Sequence, residues 1–337
     1  MRRIVLIYLL IFLIAPFVRA QELERIMDLS GGWNFSIGDN KEWSNQNFND
    51  SKWNKIEVPG SWEEQGYHGY DGIAWYRSTF RIPSWVSDQY LYIELGYIDD
   101  VDEVFINGVK VGSTGSFPPN YKTAYNARRL YVIPKRVLDF KGENIISVRV
   151  FDEHLEGGIV GGRVQLLKEK SPMHLDIDLQ GQWKFRTGDN KSWSNLSDYS
   201  DWIDIIVPGA WEDQGFNYYD GYAWYVNEIT IDEKLSSESL VLVLGKIDDI
   251  DEVYINGKFI ASIGEFKEHT KEIHVDNEYK AFRGYYLPLG TLMSNKKNTI
   301  AVRVYDARKQ GGIYEGPIGI ITQVKYINYW RTKKETD

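Results

Sequence analysis

The chain states nearly the same sentence twice, and that duplication constrains it more than any other feature. The run V-P-G-S-W-E-E-Q-G-Y-H-G-Y-D-G-I-A-W-Y from Val58 to Tyr76 returns as V-P-G-A-W-E-D-Q-G-F-N-Y-Y-D-G-Y-A-W-Y from Val207 to Tyr225, with 13 of 19 positions identical at an offset of 149. Trp33 and Gly38-Asp39-Asn40 return as Trp183 and Gly188-Asp189-Asn190, and Ile98–Val104 returns as Ile247–Val253. Val148-Arg149-Val150-Phe151-Asp152 returns as Val302-Arg303-Val304-Tyr305-Asp306, now offset by 154. A period near 150 residues is too long for a solenoid or a propeller blade. It is the length of a domain, so the chain reads as two similar domains in tandem.

The first twenty residues have the make-up of a secretory leader: Arg2 and Arg3, an apolar stretch from Ile4 to Ala15, then Val18-Arg19-Ala20 before Gln21. That stretch is short for a membrane span, and no later segment reaches the required length. The expectation is export, to the periplasm, the cell surface or beyond, without a membrane span. There is no cysteine among the 337 residues, which excludes disulfides, thiolate nucleophiles and thiolate metal sites. Net charge is −9 and three arginines lie in the leader, so the remainder is more acidic still. Such a surface repels phosphate backbones, and nucleic acid is not expected as a partner.

Short runs of β-branched and aromatic residues alternate with turn chemistry. Tyr90–Leu95 alternates as a strand does, and Asn144–Phe151 and Asn298–Tyr305 read as long strands. Asn107-Gly108 and Asn256-Gly257, each flanked by such runs, predict hairpins with type I′ turns, because both residues accept positive φ. The expected fold is all-β: two tandem β-sandwich domains of jelly-roll form, over 21–170 and 171–337, divided near the charged stretch Lys168-Glu-Lys-Ser-Pro172.

Three segments carry candidate chemistry. The first is the glycine-punctuated loop with Trp62, Tyr67, His68, Tyr70, Asp71 and Trp75, repeated as Trp211, Phe216, Tyr218, Tyr219, Asp220 and Trp224. Aromatic faces there would stack a sugar ring while aspartates accept hydrogen bonds from its hydroxyls; alternatively the tryptophans anchor cores and Asp71-Gly72 makes a turn. The second is the acidic run Asp99, Asp100, Asp102, Glu103, repeated as Asp248, Asp249, Asp251, Glu252. Four carboxylates in five residues could offer oxygens to calcium, or could be solvated turn residues; strand alternation puts Asp100 and Asp102 on one side and Glu103 on the other. The third is the loop after each long strand: Asp152, Glu153, His154, Glu156 and Gly157-Gly158, with Asp306, Arg308, Gly311-Gly312 and Glu315. Paired glycines let backbone approach a ligand, or simply turn tightly. His269 and His274 form a loop pair to be weighed for zinc.

These motifs resemble a known family. Trp33-x-Phe35, Val58–Trp62, Gly72–Arg77, Gly96–Gly112 around the hairpin, and Glu143–Val150 look like the galactose-binding-like jelly roll at the N-terminus of glycoside hydrolase family 2 enzymes such as β-galactosidases. The same module stands beside sialate O-acetylesterase catalytic domains. The resemblance implies that the loop after the last long strand reaches toward a sugar, and it assigns that role to Asp152 and Asp306. Those enzymes also carry a (β/α)₈ barrel with the catalytic carboxylates, and this sequence has no run of alternating strands and helices long enough for one.

The leading expectation is therefore an exported, non-catalytic carbohydrate-binding protein with two modules that engage an oligo- or polysaccharide, requiring no cofactor unless calcium serves. The sugar-binding candidates are Trp62, Tyr67, Tyr70, Asp71, Asp152, His154, Trp211, Tyr218, Tyr219, Asp220, Asp306 and Arg308. The calcium candidates are Asp99, Asp100, Asp102, Asp248, Asp249 and Asp251. The alternatives are a glycoside hydrolase, or a subunit accessory to one, and a protein-docking module.

Overall fold

A computed structural model of the chain describes residues 23–86, 89–266 and 277–336. The leader expected over 1–20 and the pair His269/His274 lie outside the described residues. The fold is all-β. In the first unit a four-stranded sheet runs in the order β1 (Leu23–Asp28), β10 (Gly158–Glu169), β5 (Leu91–Asp99), β8 (Arg128–Ile133). A six-stranded sheet runs β3 (Asn54–Val58), β2 (Gly31–Ile37), β4 (Gly72–Phe80), β9 (Asn144–Asp152), β6 (Val101–Ile106), β7 (Val109–Thr114). The second unit repeats both orders: β11 (Ile177–Asp178), β20 (Gly312–Thr322), β15 (Leu240–Asp248), β18 (Phe282–Leu287), and β13 (Ile203–Val207), β12 (Gly181–Thr187), β14 (Gly221–Thr230), β19 (Lys297–Asp306), β16 (Ile250–Ile255), β17 (Lys258–Ile263). The hairpins turn at the predicted dipeptides, with φ of 51° and 84° at Asn107-Gly108 and 50° and 76° at Asn256-Gly257. Positive φ at both residues matches the twist of the flanking strands.

Each sandwich closes over an aromatic centre. Phe35 takes the edges of Tyr67 and Tyr76 at centroid distances of 4.7 and 4.9 Å and leans on Trp62 at 5.9 Å. Phe185 repeats the arrangement with Phe216, Tyr225 and Trp211. The paired glycines belong to this packing. A Cβ on Gly157 would lie 2.2 Å from the Trp62 ring, and one on Gly158 would lie 2.4 Å from the Tyr76 hydroxyl. Gly311 meets Trp211 at the same 2.2 Å. The glycines thus let backbone approach the core rather than a ligand.

A buried ion pair ties the two sheets together. Arg129 of β8 and Asp102 of β6 are both fully buried, with Nε donating to Oδ1 at 2.8 Å. A second guanidinium N–H donates to the Asp100 carbonyl (2.8 Å), and the Tyr131 hydroxyl donates to Asp102 Oδ2 (2.6 Å). Arg283, Asp251, Asp249 and Tyr285 repeat the set. This departs from the calcium reading of Asp102 and Asp251: the oxygens of both are taken up by arginine and tyrosine donors.

The units touch through the second unit's loop. Asn217 donates to the Ser116 hydroxyl (2.6 Å) and the Asn120 carbonyl (2.7 Å), and Ser113 donates to the Asp213 carbonyl (3.2 Å). A helix, Gln323–Thr336, follows the second sandwich, where the sequence reading placed none. Its Tyr326 and Trp330, together with Tyr329, cover the outer face of the four-stranded sheet around Val241, Val243 and Ile321. Tyr329 and Trp330 follow Tyr326 by three and four residues along a helix that is otherwise mostly polar.

Gly157→Ala and Gly311→Ala should each cost about 1–3 kcal/mol by overpacking. Gly161→Ala, where an added Cβ meets nothing within 4 Å, should stay within about 0.5 kcal/mol. Urea denaturation of the three variants checks this.

Candidate functional site: a carboxylate triad in each unit

Strand pairing gathers residues that are distant in the chain. β5 ends at Asp99 and β6 begins two residues later, while β9 ends at Asp152. Phe151 pairs with Val101, Gly72 with Asp152, and Gly158 with Asp99. One end of the sandwich therefore collects the acidic run, the post-strand loop and the start of β4. Carboxylate oxygens of Asp99, Asp100 and Asp152 all lie within 4.8 Å of one another, as do those of Asp248, Asp249 and Asp306. The Asp99–Asp100 and Asp248–Asp249 peptides are cis.

The three acids of a triad differ in surroundings. Asp100 is held in place by the Thr123 hydroxyl on Oδ1 and by the Glu153 N–H on Oδ2 (3.0 Å). Burial works against its charge, but these donors and the Tyr121 hydroxyl keep its carboxyl below the usual range. Asp99 is pushed up to about 7 by burial first, then by the hydrogen bond and charge it shares with Asp100. Asp152 is 0% exposed. Among the described residues neither of its oxygens has a hydrogen-bond partner of good geometry, and only the backbone N–H of His154 acts on it to favour its charge. Burial, followed by the charges of Asp100 and Asp99, pushes it up to about 7. In the second unit Asp248 rises to about 8 and Asp306 to about 7, burial leading in both. Asp249 Oδ2 accepts the Ala307 N–H (3.0 Å), Asp306 Oδ1 accepts the Arg308 N–H (3.1 Å), and Asp306 Oδ2 has no partner among the described residues.

The sugar-binding candidates fall into two groups. Trp62 and Trp211 are 0% exposed and offer no face to a ligand. Tyr70 donates its hydroxyl to the Ile73 carbonyl (2.6 Å), accepts the Gly38 N–H (3.2 Å), and sets its ring against Trp62; Tyr219 does the same with Tyr222, Gly188 and Trp211. Tyr67 packs edge-on against Phe35 and accepts a hydrogen bond from Asn54 (2.7 Å). These five serve the core. Asp71, His154, Asp220 and Arg308 are exposed around the triads, while Asp152 and Asp306 are the triads' buried members. Tyr218 is 86% exposed, adopts φ 59° where the first unit has Gly69, and lies 5.8 Å below the Lys122 ammonium.

Sequence reasoning missed two partners. Glu63 accepts the Gly157 N–H through Oε2 (2.9 Å), its Oε1 buried and unpartnered among the described residues; Glu212 and Gly311 repeat this at 3.0 Å. Arg149 bridges Asp39 (2.6 Å) and Glu103 (3.0 Å) on the six-stranded sheet, as Arg303 bridges Asp189 and Glu252. Both sets repeat between the halves, which was the available signal. A cleft of about 370 Å³ lies between the units, lined by Gly112, Arg128, Tyr131, Pro208, Gln214 and Tyr314 among others.

A carboxyl whose pKa is raised on folding stabilises the fold below its unfolded value near 3.8, and that contribution is lost as pH rises through about 7. Asp152→Asn removes the loss. With divalent cations chelated, the variant should gain on the parent chain by on the order of 1 kcal/mol or more between pH 5 and pH 8. Thermal denaturation at both pH values measures the gap; an unchanged gap would show that Asp152 titrates normally.

Residues 38–155 match the family model described as the β-galactosidase second all-beta domain. A β-glucuronidase of Formosa agariphila, itself named as putative, is 28% identical over 162 residues, 44% of this chain and 14% of that protein. A β-galactosidase of Bacteroides ovatus is 28% identical over 97 residues, 25% of this chain and 11% of its own. The matched stretches thus span a small part of these relatives. Among solved structures, a glycosyl hydrolase family 2 member from Bacteroides cellulosilyticus aligns over 85% of this chain and 32% of its own, at 16% identity and a TM-score of 0.36. Over residues 38–155 the first unit is thus similar to the β-galactosidase second all-beta domain, and the likeness to the relatives covers part of this chain and a small part of those enzymes.

Proposed function

We propose that the chain is an exported carbohydrate-binding protein that presents a saccharide site at the triad end of its first unit. One observation carries the reading: three separately placed motifs converge there, ringing buried carboxylates with exposed polar and aromatic groups. Asp71, Glu153, His154 and Glu156 are exposed at that rim, and Tyr125, 56% exposed, stands on the loop whose Thr123 bonds Asp100. Acidic acceptors grip vicinal hydroxyls, and rings cover the apolar face of a pyranose. The relatives named as β-glucuronidase and β-galactosidase support a sugar as ligand. Export rests on the leader residues alone.

A hydrolytic reading draws on the raised carboxyls, since glycosidases use a carboxyl of raised pKa beside an ionised one. The triad suits it poorly. Its oxygens lie within 4.8 Å of one another and Asp152 is fully buried. A retaining pair stands about 5–5.5 Å apart, with the sugar between its members.

A glycan array probed with the purified chain tests the proposal. Binding to a defined glycan class is expected, weakened tenfold or more by Asp71→Ala and by His154→Ala, whose exposed side chains leave the core untouched. Retention of no glycan, or binding indifferent to both changes, would contradict it.

A further inference from the structure

We propose that each triad is a binding site for a hard divalent cation of calcium size. Two independent observations meet in the first unit. Oxygens of Asp99, Asp100 and Asp152 lie within 4.8 Å of one another, and Asp152, 0% exposed, aims into that cluster a carboxylate with no hydrogen-bond partner of good geometry among the described residues. Burying an unpaired carboxylate is costly unless a proton or a cation compensates it. Among the described residues no lysine, arginine or histidine side chain is paired with Asp152. Arg129, the nearby guanidinium, is committed to Asp102, the Asp100 carbonyl and the carbonyls of Ala124 and Ala127. The hydroxyls of Thr123 and Tyr121 and the Glu153 N–H go to Asp100, and only the backbone N–H of His154 acts on Asp152.

Geometry and chemistry agree on the ion. Calcium accepts six to eight oxygens at about 2.3–2.6 Å, so any two of its ligand atoms stand no more than about 5.2 Å apart, and three carboxylate oxygens all within 4.8 Å of one another meet that limit. Three carboxylates make an all-oxygen, strongly negative donor set, which favours a hard cation over copper or zinc. No histidine is part of either cluster. The second unit repeats the arrangement with Asp248, Asp249 and Asp306, where Asp306 Oδ2 is the unpartnered atom among the described residues. Asp306 also accepts the Arg308 N–H, as the His154 N–H acts on Asp152, and a carboxylate oxygen that accepts one N–H keeps a lone pair for a cation. The donor assignment differs from the sequence reading: Asp152 and Asp306 replace Asp102 and Asp251.

The sites do not depend on a sugar, so the test contains none. The full chain is stripped with chelator, dialysed, and titrated with calcium chloride by calorimetry, while native mass spectrometry counts retained ions. Two calcium ions per chain are expected, with Asp152→Asn and Asp306→Asn each removing one and the double variant binding none. Terbium luminescence, sensitised by the tyrosine and tryptophan rings, should follow the same pattern, and circular dichroism verifies that each variant is folded. Should a variant fail to fold, the ion count on the parent chain decides alone. Absence of retained calcium and of a binding heat at millimolar calcium would overturn the proposal, as would calcium binding that the double variant keeps.

Discussion

The buried pair of Arg129 and Asp102 is the interaction on which the rest depends. Both side chains are fully buried, where two opposite charges are tolerable only with their remaining valences filled. They are filled: Arg129 donates to three backbone carbonyls as well as to Asp102, and Asp102 accepts from Tyr131. One of those carbonyls belongs to Asp100. The pair therefore joins the six-stranded sheet to the four-stranded one and fixes the turn that carries two triad acids. Removing one partner would strand the other as a buried charge, at about 3–5 kcal/mol. The second unit reproduces the arrangement donor for donor through Arg283, Asp251, Asp249 and Tyr285.

From that clamp the site follows by strand geometry. β9 lies between β4 and β6, so its last residue, Asp152, arrives beside the turn that Arg129 holds. The loop beyond Asp152 must pass over Trp62, which only glycine at 157 permits. Glu63, next to Trp62, then captures the Gly157 N–H. Core packing and site assembly thus share residues.

Local signals in the sequence carried the hairpins, the long strands and the doubling, because Asn-Gly turns and period-two alternation depend only on neighbours. The triads were not legible as such. Asp99 and Asp152 stand 53 positions apart and meet only through the pairing of β9 and β10 with their neighbours. Alternation grouped Asp102 with Asp100, yet it could not reveal that Arg129, 27 positions on, claims Asp102. Trp62 and Tyr70 looked equally suited to a sugar or a core, since composition has no inside and outside. The closing helix is polar over most of its length, and the sheet face that Tyr326, Tyr329 and Trp330 cover exists only once the strands have paired.

The two units differ where a ligand would notice. The first unit's triad rim carries His154 where the second carries Arg308, and the second unit's loop also docks on the first unit through Asn217. Crystals of the full chain soaked with terbium and measured at a wavelength of strong terbium anomalous scattering give the most direct test of the central claim. An anomalous peak among the carboxylates of Asp99, Asp100 and Asp152, and another among Asp248, Asp249 and Asp306, is the expected result. Density without such peaks, with Asp152 hydrogen-bonded to protein or ordered water, would contradict it.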